Sequence, residues 1–219
     1  DLDTTHTRNA YERLITDFSM GKTDVLIGTQ MVSKGLDFGR VSVVGILDAD
    51  SMLNYPDFRA YEHAFMMMSQ VSGRAGRRGD RGLVILQTRS PQLPVVQQVV
   101  SNDCDTFYHD LSVERELFHY PPFTHLVYVF LRHKQEAVVE AAALEMGALL
   151  RRSLADRVLG PDKPSVARVK QLCIRKLVIK LGQDVDLRQV RLFLQQTRQQ
   201  LLSLKSYSTV QIFFDVDPQ

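Results

Sequence analysis

The sequence has 219 residues, of which 44% are hydrophobic and 24% charged, and its formal net charge is +2. The composition excludes a disordered chain, and the small net charge does not by itself indicate a nucleic-acid partner. The length accommodates one large domain or two ordinary ones. No apolar run reaches membrane-spanning length and no signal peptide is visible, so we expect a cytoplasmic protein without membrane contact.

The first 120 residues predict an open α/β layer. Residues 8–18 have the apolar spacing of a helix, and Gly21 follows as a typical helix end. Short apolar runs predict buried strands, and periodic segments predict further helices: strands at residues 25–28, 41–47 and 83–86, and helices at residues 57–71 and 103–118. Strands that are apolar on both faces belong to parallel sheets covered by helices, so we expect a parallel sheet flanked by helices.

The pattern changes after Pro121 and Pro122, which end the preceding helix. Residues 121–219 predict a smaller α+β domain with the order β-α-β-β-α-β, the ferredoxin-like arrangement. Its predicted strands are residues 126–131, 166–169, 172–181 and 210–214, and its predicted helices are residues 135–154 and 186–204. Residues 160–164 contain one glycine and two prolines, which predicts a turn.

Two patterns resemble catalytic motifs but are interpreted as structural. Residues 21–23 read Gly-Lys-Thr, like the end of a phosphate-binding loop, yet Thr16 stands where that motif needs its first glycine. Asp48 and Asp50 follow the second predicted strand and could hold Mg²⁺. Carboxylates in this position are more often turn and cap residues, and we favour that interpretation.

The two cysteines, Cys104 and Cys173, lie far apart and lack the spacing of a zinc site. We therefore predict free thiols and no bound metal in this chain. Cys104 and His109 are five positions apart on a predicted helix, so their side chains point in different directions and do not form a catalytic pair.

Residues 28–38 are the first segment that indicates chemistry. They begin where a predicted buried strand ends, and small and hydroxyl side chains such as Thr29 allow backbone amides to approach a phosphate. Gly35 suits a tight turn, and Asp37 offers an acceptor for a ribose hydroxyl or a coupling partner.

Residues 70–77 are the second such segment. Arg74 and Arg77 stand three apart at a predicted helix end that contains two glycines, and this placement can direct both guanidinium groups at phosphate. Arginine does this better than lysine because its planar fork is always charged and binds with two hydrogen bonds. An arginine supplied to a γ-phosphate accelerates phosphoryl transfer.

The order of these two segments resembles the second RecA-like lobe of superfamily 2 helicases, with residues 28–38 similar to motif V and residues 70–77 similar to motif VI. Five further segments resemble the primosomal protein N′ family of bacterial replication-restart helicases. They are residues 27–31, 47–50, 56–60, 120–123 and 215–218. The resemblance covers nearly the whole chain and implies a partial RecA-like lobe, residues 1–120, followed by an α+β C-terminal domain, residues 121–219.

The resemblance implies an ATP-dependent 3′-to-5′ DNA helicase that restarts stalled replication forks by primosome assembly. It implies ATP and Mg²⁺ as cofactors, and forked and single-stranded DNA, single-stranded DNA-binding protein and other primosome proteins as partners, in the bacterial cytoplasm at the nucleoid. The family's phosphate-binding loop, DExH box and zinc module are not in this sequence. We therefore expect this chain alone to lack ATPase activity, and zinc to belong to the longer protein.

The resemblance also assigns roles by motif position. Arg77 corresponds to the arginine finger and Arg74 to a second γ-phosphate contact. The residues expected on the nucleotide side are Gln70, Gly73, Gly35 and Asp37. The residues of the first segment expected to contact DNA are Thr29, Gln30 and Lys34. In the C-terminal domain no motif assigns the contacts. The candidates there, for DNA or for the tail of single-stranded DNA-binding protein, are the basic residues Arg168, Lys170, Arg175 and Lys176, with Arg188 and Arg191 on the following helix. Contacts that follow the DNA backbone carry no sequence preference, which suits a helicase.

A different class of function remains open at this point. The chain could be a non-catalytic module that binds DNA or protein and keeps a helicase lobe as its scaffold. Asp1 stands where an initiator methionine would be, which favours a piece of a longer helicase. An RNA helicase of the same superfamily is disfavoured by the C-terminal domain and by the Asp-Val-Asp-Pro sequence at residues 215–218.

Overall fold

A computed structural model describes residues 8–29, 39, 41–76 and 82–218. The chain divides into two compact units, Asp1–Asp110 and Leu111–Gln219, called unit 1 and unit 2 below. Both units mix helices and strands, as an α/β chain does. The predicted domain boundary at residue 120 stays a prediction.

Unit 1 contains a short parallel sheet and several helices. Its elements are α1 (Arg8–Ser19), β1 (Val43–Ile46), α2 (Ala49–Leu53), α3 (Ala60–Ser72), β2 (Leu83–Leu86), α4 (Pro94–Ser101) and α5 (Cys104–Leu117), which continues into unit 2. Strands β1 and β2 are parallel, with Val43 opposite Leu83 and Ile46 opposite Leu86. The predictions of helix α1 and of these two strands are thereby confirmed.

The prediction of a buried strand at residues 25–28 is wrong for the structure described. These residues form no ladder, and the side chains of Val25 and Ile27 are 73% and 86% exposed. A strand exists only where its backbone amides and carbonyls find a partner, and no described residue pairs with this run. The expectation of burial on both sheet faces also fails here, because Val43 and Leu83 are more than half exposed.

The core of unit 1 forms on one face of α3. Ala64, Phe65 and Met68 are buried there, while Met66 on the opposite face is 53% exposed. The ring of Phe65 stacks on Phe107 of α5, with 3.9 Å between centroids and 5° between planes. Helical periodicity therefore identifies the packed face of α3, although the helix begins three residues later than predicted.

Unit 2 is a two-layer domain with one antiparallel sheet. Its elements are β3 (Thr124–His133), α6 (Glu136–Leu154), a 3₁₀ turn (Ala155–Arg157), β4 (Val158–Asp162), β5 (Arg168–Val169), β6 (Leu172–Gly182), α7 (Leu187–Ser203) and β7 (Gln211–Val216). The strand order is β4-β6-β3-β7, and β5 pairs with another part of β6. Helices α6 and α7 pack on one face, and the core between the layers includes Val129, Met146 and Leu177.

Strand β4 occupies residues that the sequence predicts as a turn. The register of β4 shifts between Leu159 and Asp162, so the Gly160–Pro161 pair forms an irregularity in an edge strand. Proline is tolerated at such positions because the edge needs no amide donor there. Gly160 has φ 88°, and a Cβ on it would lie 2.9 Å from the carbonyl oxygen of Lys176, so only glycine suits this position.

Candidate functional site

The end of α3 positions the described residues of the second predicted motif. The amide of Gly73 donates to the Ser69 carbonyl at 3.1 Å, and that of Arg74 donates to the Val71 carbonyl at 3.1 Å. The amide of Gly76 then donates to the carbonyl of Val41 at 3.0 Å, which ties this segment to the start of β1. Gln70 and Gly73 are exposed, whereas Arg74 is half-buried.

Residues from both predicted motifs line one cavity in unit 1. The cavity has a volume of about 870 Å³ and is lined by residues 24–29, by strand β1 and by Arg74. Thr29 and Arg74, predicted from separate segments, therefore face the same space. Arg77, Gln30, Lys34, Gly35 and Asp37 lie outside the described residues, so their predicted roles stay predictions.

Asp50 has a structural role at the end of β2. Its carboxylate accepts a hydrogen bond from the Thr88 hydroxyl at 2.7 Å and one from the Arg89 amide at 2.8 Å. These two hydrogen bonds, with the Thr88 bond the larger cause, lower the pKa of Asp50. The neighbouring Asp48 stands in the left-handed region, φ 54°, immediately before α2. The interpretation of this pair as turn and cap residues is consistent with that geometry.

Replacing Asp50 by Asn is expected to make unfolding less dependent on pH. Because the folded-state pKa is lowered, Asp50 contributes stability above its unfolded pKa, and that contribution is lost as the pH falls through the acid range. Urea unfolding followed by circular dichroism between about pH 6 and pH 3 measures the slope of the free energy of unfolding against pH. The control Asp24→Asn removes an exposed carboxylate of unit 1, and an equal loss of slope in it would contradict the prediction.

The predicted DNA contact Arg175 requires correction. Its side chain is 3% exposed and points to the helix face of β6, where its guanidinium forms ion pairs with Glu136 and Glu140 of α6. The Arg175–Glu136 distance is 2.8 Å, and Lys163 lies 3.0 Å from the same Glu136 oxygen. Successive residues of a strand point to opposite faces, so Arg175 and Lys176 cannot share one DNA surface.

The electrostatics of this buried group favour the ion pairs. Burial alone would lower the pKa of Arg175, but the hydrogen bonds and charges of Glu136 and Glu140 outweigh it and raise that pKa. The hydrogen bond from Arg175, followed by that from Lys163, lowers the pKa of Glu136. The cluster therefore holds α6 against the sheet, and the Arg175 guanidinium is bound by the two carboxylates of that helix.

The other basic residues of unit 2 lie on different surfaces. Arg168 and Lys170 are exposed at the β5–β6 turn, where Lys170 has φ 54°. Lys176 is half-buried on the sheet face opposite the helices, and its ammonium lies 3.4 Å from the ring centroid of Tyr128. Arg188 and Arg191 are exposed on α7.

The aromatic residues on that same sheet face are not among the predicted site residues. Tyr128 and Phe130 alternate with the buried Val129 along β3, and Phe213 lies opposite Phe130 on β7. An alternation of aromatic and aliphatic residues in a predicted strand is a signal that could have identified them.

No helix among the described residues is long and apolar enough to cross a bilayer.

Comparison with known proteins extends these observations. Residues 2–79 match the family model of the helicase conserved C-terminal domain, and residues 116–219 match that of the primosomal protein N C-terminal domain. The replication restart protein PriA of Bacillus subtilis (strain 168) is 41% identical over 190 residues, which is 85% of this chain and 24% of that protein. The chain belongs to the PriA family.

Further PriA relatives give the same result. The replication restart protein PriA of Treponema pallidum is 38% identical over 99% of the chain and 33% of the relative. That of Chlamydia trachomatis is 32% identical over 100% of the chain and 28% of the relative. The chain thus spans between a quarter and a third of the length of these PriA proteins.

Proposed function

We propose that this chain is the C-terminal part of an ATP-dependent 3′-to-5′ DNA helicase that restarts stalled replication forks by primosome assembly. The observation that carries the proposal is the convergence of Thr29 and Arg74, one from each motif segment, on one cavity beside β1. Membership of the PriA family supports it, because its relatives bear the name of replication restart proteins. The proposed location is the cytoplasm.

The proposed fold of each unit follows from its sheet. A parallel β1–β2 pair with α3 packed beside it supports a partial RecA-like lobe in unit 1. The antiparallel order β4-β6-β3-β7, with one helix between β3 and β4 and another between β6 and β7, supports a ferredoxin-like domain in unit 2.

The described residues suit one side of a nucleotide rather than a whole ATP site. Arg74 offers a half-buried guanidinium, and Gly73 offers exposed backbone beside it. Asp50 accepts hydrogen bonds from Thr88 and Arg89, which fits the structural role given to it above. Hydrolysis of bound ATP would supply the free energy for movement along DNA. Arg74 and Arg77 would orient and neutralise the phosphate, and Gln70 would sense the bound nucleotide.

The proposed mechanism is closure of a cleft between this lobe and another. Arg77 would reach the transferred phosphate when the lobes close, and contacts from Thr29, Gln30 and Lys34 would hold the DNA backbone. The chemistry would then need groups from both sides, which explains why we expect this chain alone to be inactive. The proposed protein partners are single-stranded DNA-binding protein and other primosome proteins.

DNA contact by this chain is tested with a fluorescent forked DNA and a salt series. Binding is expected at about 50 mM salt. The logarithm of the association constant should fall linearly with the logarithm of the salt concentration, because phosphate contacts release counterions. Replacing Arg168 and Lys170 by Gln is expected to reduce the slope by about two, one for each lost phosphate contact. Anisotropy gives the dissociation constant at each salt concentration.

Lys205→Gln serves as the matched control, because Lys205 is exposed after α7 and carries no predicted DNA contact. It should leave the slope within experimental error of the unchanged chain. An absence of binding at low salt would contradict a DNA-contacting role for the chain. A slope unaffected by the double substitution would remove Arg168 and Lys170 from the interface.

A further inference from the structure

Strand β7 uses only one side of its backbone within the sheet of unit 2. It is the last strand in the order β4-β6-β3-β7, so β3 is its only partner among the described strands. It runs from Gln211 to Val216 without a proline, and its register with β3 is continuous. Its second side can therefore form hydrogen bonds with a further extended segment.

The ladder with β3 determines which backbone groups of β7 point away from the sheet. The amide of Asp217 donates to the carbonyl of Leu126 at 2.8 Å, so these two residues form a hydrogen-bonded pair. Hydrogen-bonded and non-hydrogen-bonded pairs alternate along an antiparallel ladder. The amides and carbonyls of Ile212, Phe214 and Val216 therefore point outward, and they have no hydrogen bond within the part of the chain that the structure describes.

The two faces of β7 differ in chemistry. Ile212, Phe214 and Val216 lie on the sheet face that α6 and α7 cover: the first is buried, the second packs against the core, and Val216 is 58% exposed. Asp215 is exposed on the opposite face, and β7 contains no basic residue. A strand added to β7 would be favoured if it placed apolar side chains beside the first set and a basic side chain beside Asp215.

A second copy of the chain suits this edge less well. Antiparallel pairing of two β7 strands would bond all the outward groups when Phe214 lies opposite its own counterpart. That register places Asp215 of one copy diagonally across from Asp215 of the other, on the same face. Two carboxylates in that arrangement repel each other, whereas a basic side chain in the same place attracts Asp215. The charge of the edge therefore favours a different, basic partner.

We propose that β7 binds an extended segment of a partner protein in which apolar residues alternate with basic ones. The segment pairs antiparallel with β7, its apolar residues opposite Ile212, Phe214 and Val216 and its basic residues beside Asp215. Its backbone bonds supply affinity, and the alternation of its side chains supplies specificity. The interaction needs neither nucleotide nor DNA, so its test is independent of the helicase assignment.

The test uses the 219-residue chain and a fluorescent peptide of about eight residues in which valine and lysine alternate. In the proposed pairing the valine amides bond to β7 and the lysine amides point away from it. N-methylation of the valine amides is therefore expected to weaken binding, measured by anisotropy, about ten-fold or more. The matched peptide with N-methylated lysine amides should bind like the unmodified one.

A proline at Val216 tests the backbone of β7. Val216→Pro removes one outward amide and no hydrogen bond to β3, a position at which an edge strand tolerates proline. The dissociation constant of the valine–lysine peptide is expected to rise about five-fold or more. Val216→Thr keeps the amide and is the matched control, expected within about two-fold of the unchanged chain. Thermal unfolding establishes that each variant is folded during the titration.

A charge reversal tests the selection of a basic partner. Asp215→Lys is expected to weaken binding of the valine–lysine peptide several-fold and to strengthen binding of a peptide in which glutamate replaces lysine. Asp162→Lys makes the same change at an exposed carboxylate of β4, at the other end of the sheet, and should leave both affinities within about two-fold.

Exchange of the backbone amides, followed by NMR, locates the peptide on the unchanged chain and needs no variant. Bound peptide is expected to slow exchange at Ile212, Phe214 and Val216, and to change Phe213 and Asp215 little because their amides already bond to β3. The titration is repeated with the whole helicase, in which β7 is expected to remain accessible.

Several results would overturn the proposal. They are equal affinity of the two methylated peptides, unaltered exchange at the three outward amides, and absence of peptide binding to the whole helicase, which would show that another part of that protein covers β7. A dimer of the unchanged chain in sedimentation that Val216→Pro abolishes would also overturn it, because the partner would then be a second copy.

Discussion

Replacing Arg77 by Ala in the whole helicase is expected to reduce the rate of DNA-stimulated ATP hydrolysis by about 10³-fold or more. The side chain would stabilise charge that develops on the transferred phosphate, so its loss should lower the turnover number with little effect on DNA affinity. Steady-state ATPase assays at saturating single-stranded DNA measure the first quantity, and anisotropy measures the second. Arg77→Lys should also be strongly impaired because an ammonium lacks the planar fork.

Arg78→Ala is the matched control for this prediction. It removes the same charge from the adjacent position, outside the predicted pair Arg74 and Arg77. We expect it to keep ATPase activity within a few-fold of the unchanged helicase. Normal hydrolysis in Arg77→Ala, or an equal loss in both variants, would show that the arginine finger has been assigned to the wrong residue.

Replacing Arg175 by Met is expected to lower the free energy of unfolding of the chain by about 1–3 kcal/mol. The substitution keeps an apolar stem in the buried site but leaves Glu136 and Glu140 without their shared cation. The loss stays below that of a fully buried pair, because the carboxylates are about half exposed and regain solvent. Urea unfolding followed by circular dichroism measures the difference.

Two further variants make this prediction specific. Lys176→Met changes the neighbouring position on the opposite face and is expected to alter stability by less than about 1 kcal/mol. Adding Glu140→Gln to Arg175→Met should recover part of the loss, because it removes the carboxylate left without a cation, whereas Glu136 keeps its ion pair with Lys163. If folded Arg175→Met loses ten-fold or more in DNA affinity, the original prediction of a DNA contact would be reinstated.

The direction of Arg175 could have been predicted from the sequence. Leu177, Ile179 and Leu181 share its strand parity, and all three are completely buried. A residue two positions before such a series belongs to the same inward face, whereas Lys176 belongs to the other. Proximity along the chain therefore does not place two basic residues on one surface, because neighbouring residues of a strand point to opposite faces.

Other features could not be predicted in this way. The apolar run at residues 25–28 has the composition of a buried strand, but strand formation depends on a pairing partner that composition does not specify. Residues 160–164 carry strong turn signals, yet Gly160 and Pro161 lie in an irregular edge strand because the ladder with β6 continues on both sides of them. Tertiary pairing decided both cases.

The candidate site was predictable only as a set of segments. The order of the two motif segments predicts Thr29 and Arg74 as site residues. Only the folded structure shows that both line one cavity. The alternation of Tyr128 and Phe130 along β3 is visible in the sequence, but their grouping with Phe213, 83 positions after Phe130, depends on the pairing of β3 with β7. Local patterns thus identified residues suited to phosphate, and topology determined which of them share a surface.

The irregularity in β4 has a consequence for self-association. An edge strand normally exposes a regular row of amides and carbonyls that can template a strand from another molecule. In β4 the row is interrupted at Gly160, Pro161 contributes no amide hydrogen, and the strand ends in the charged Asp162. This rim of the sheet is therefore protected against growth by strand addition, and aggregation through cross-β pairing is disfavoured there.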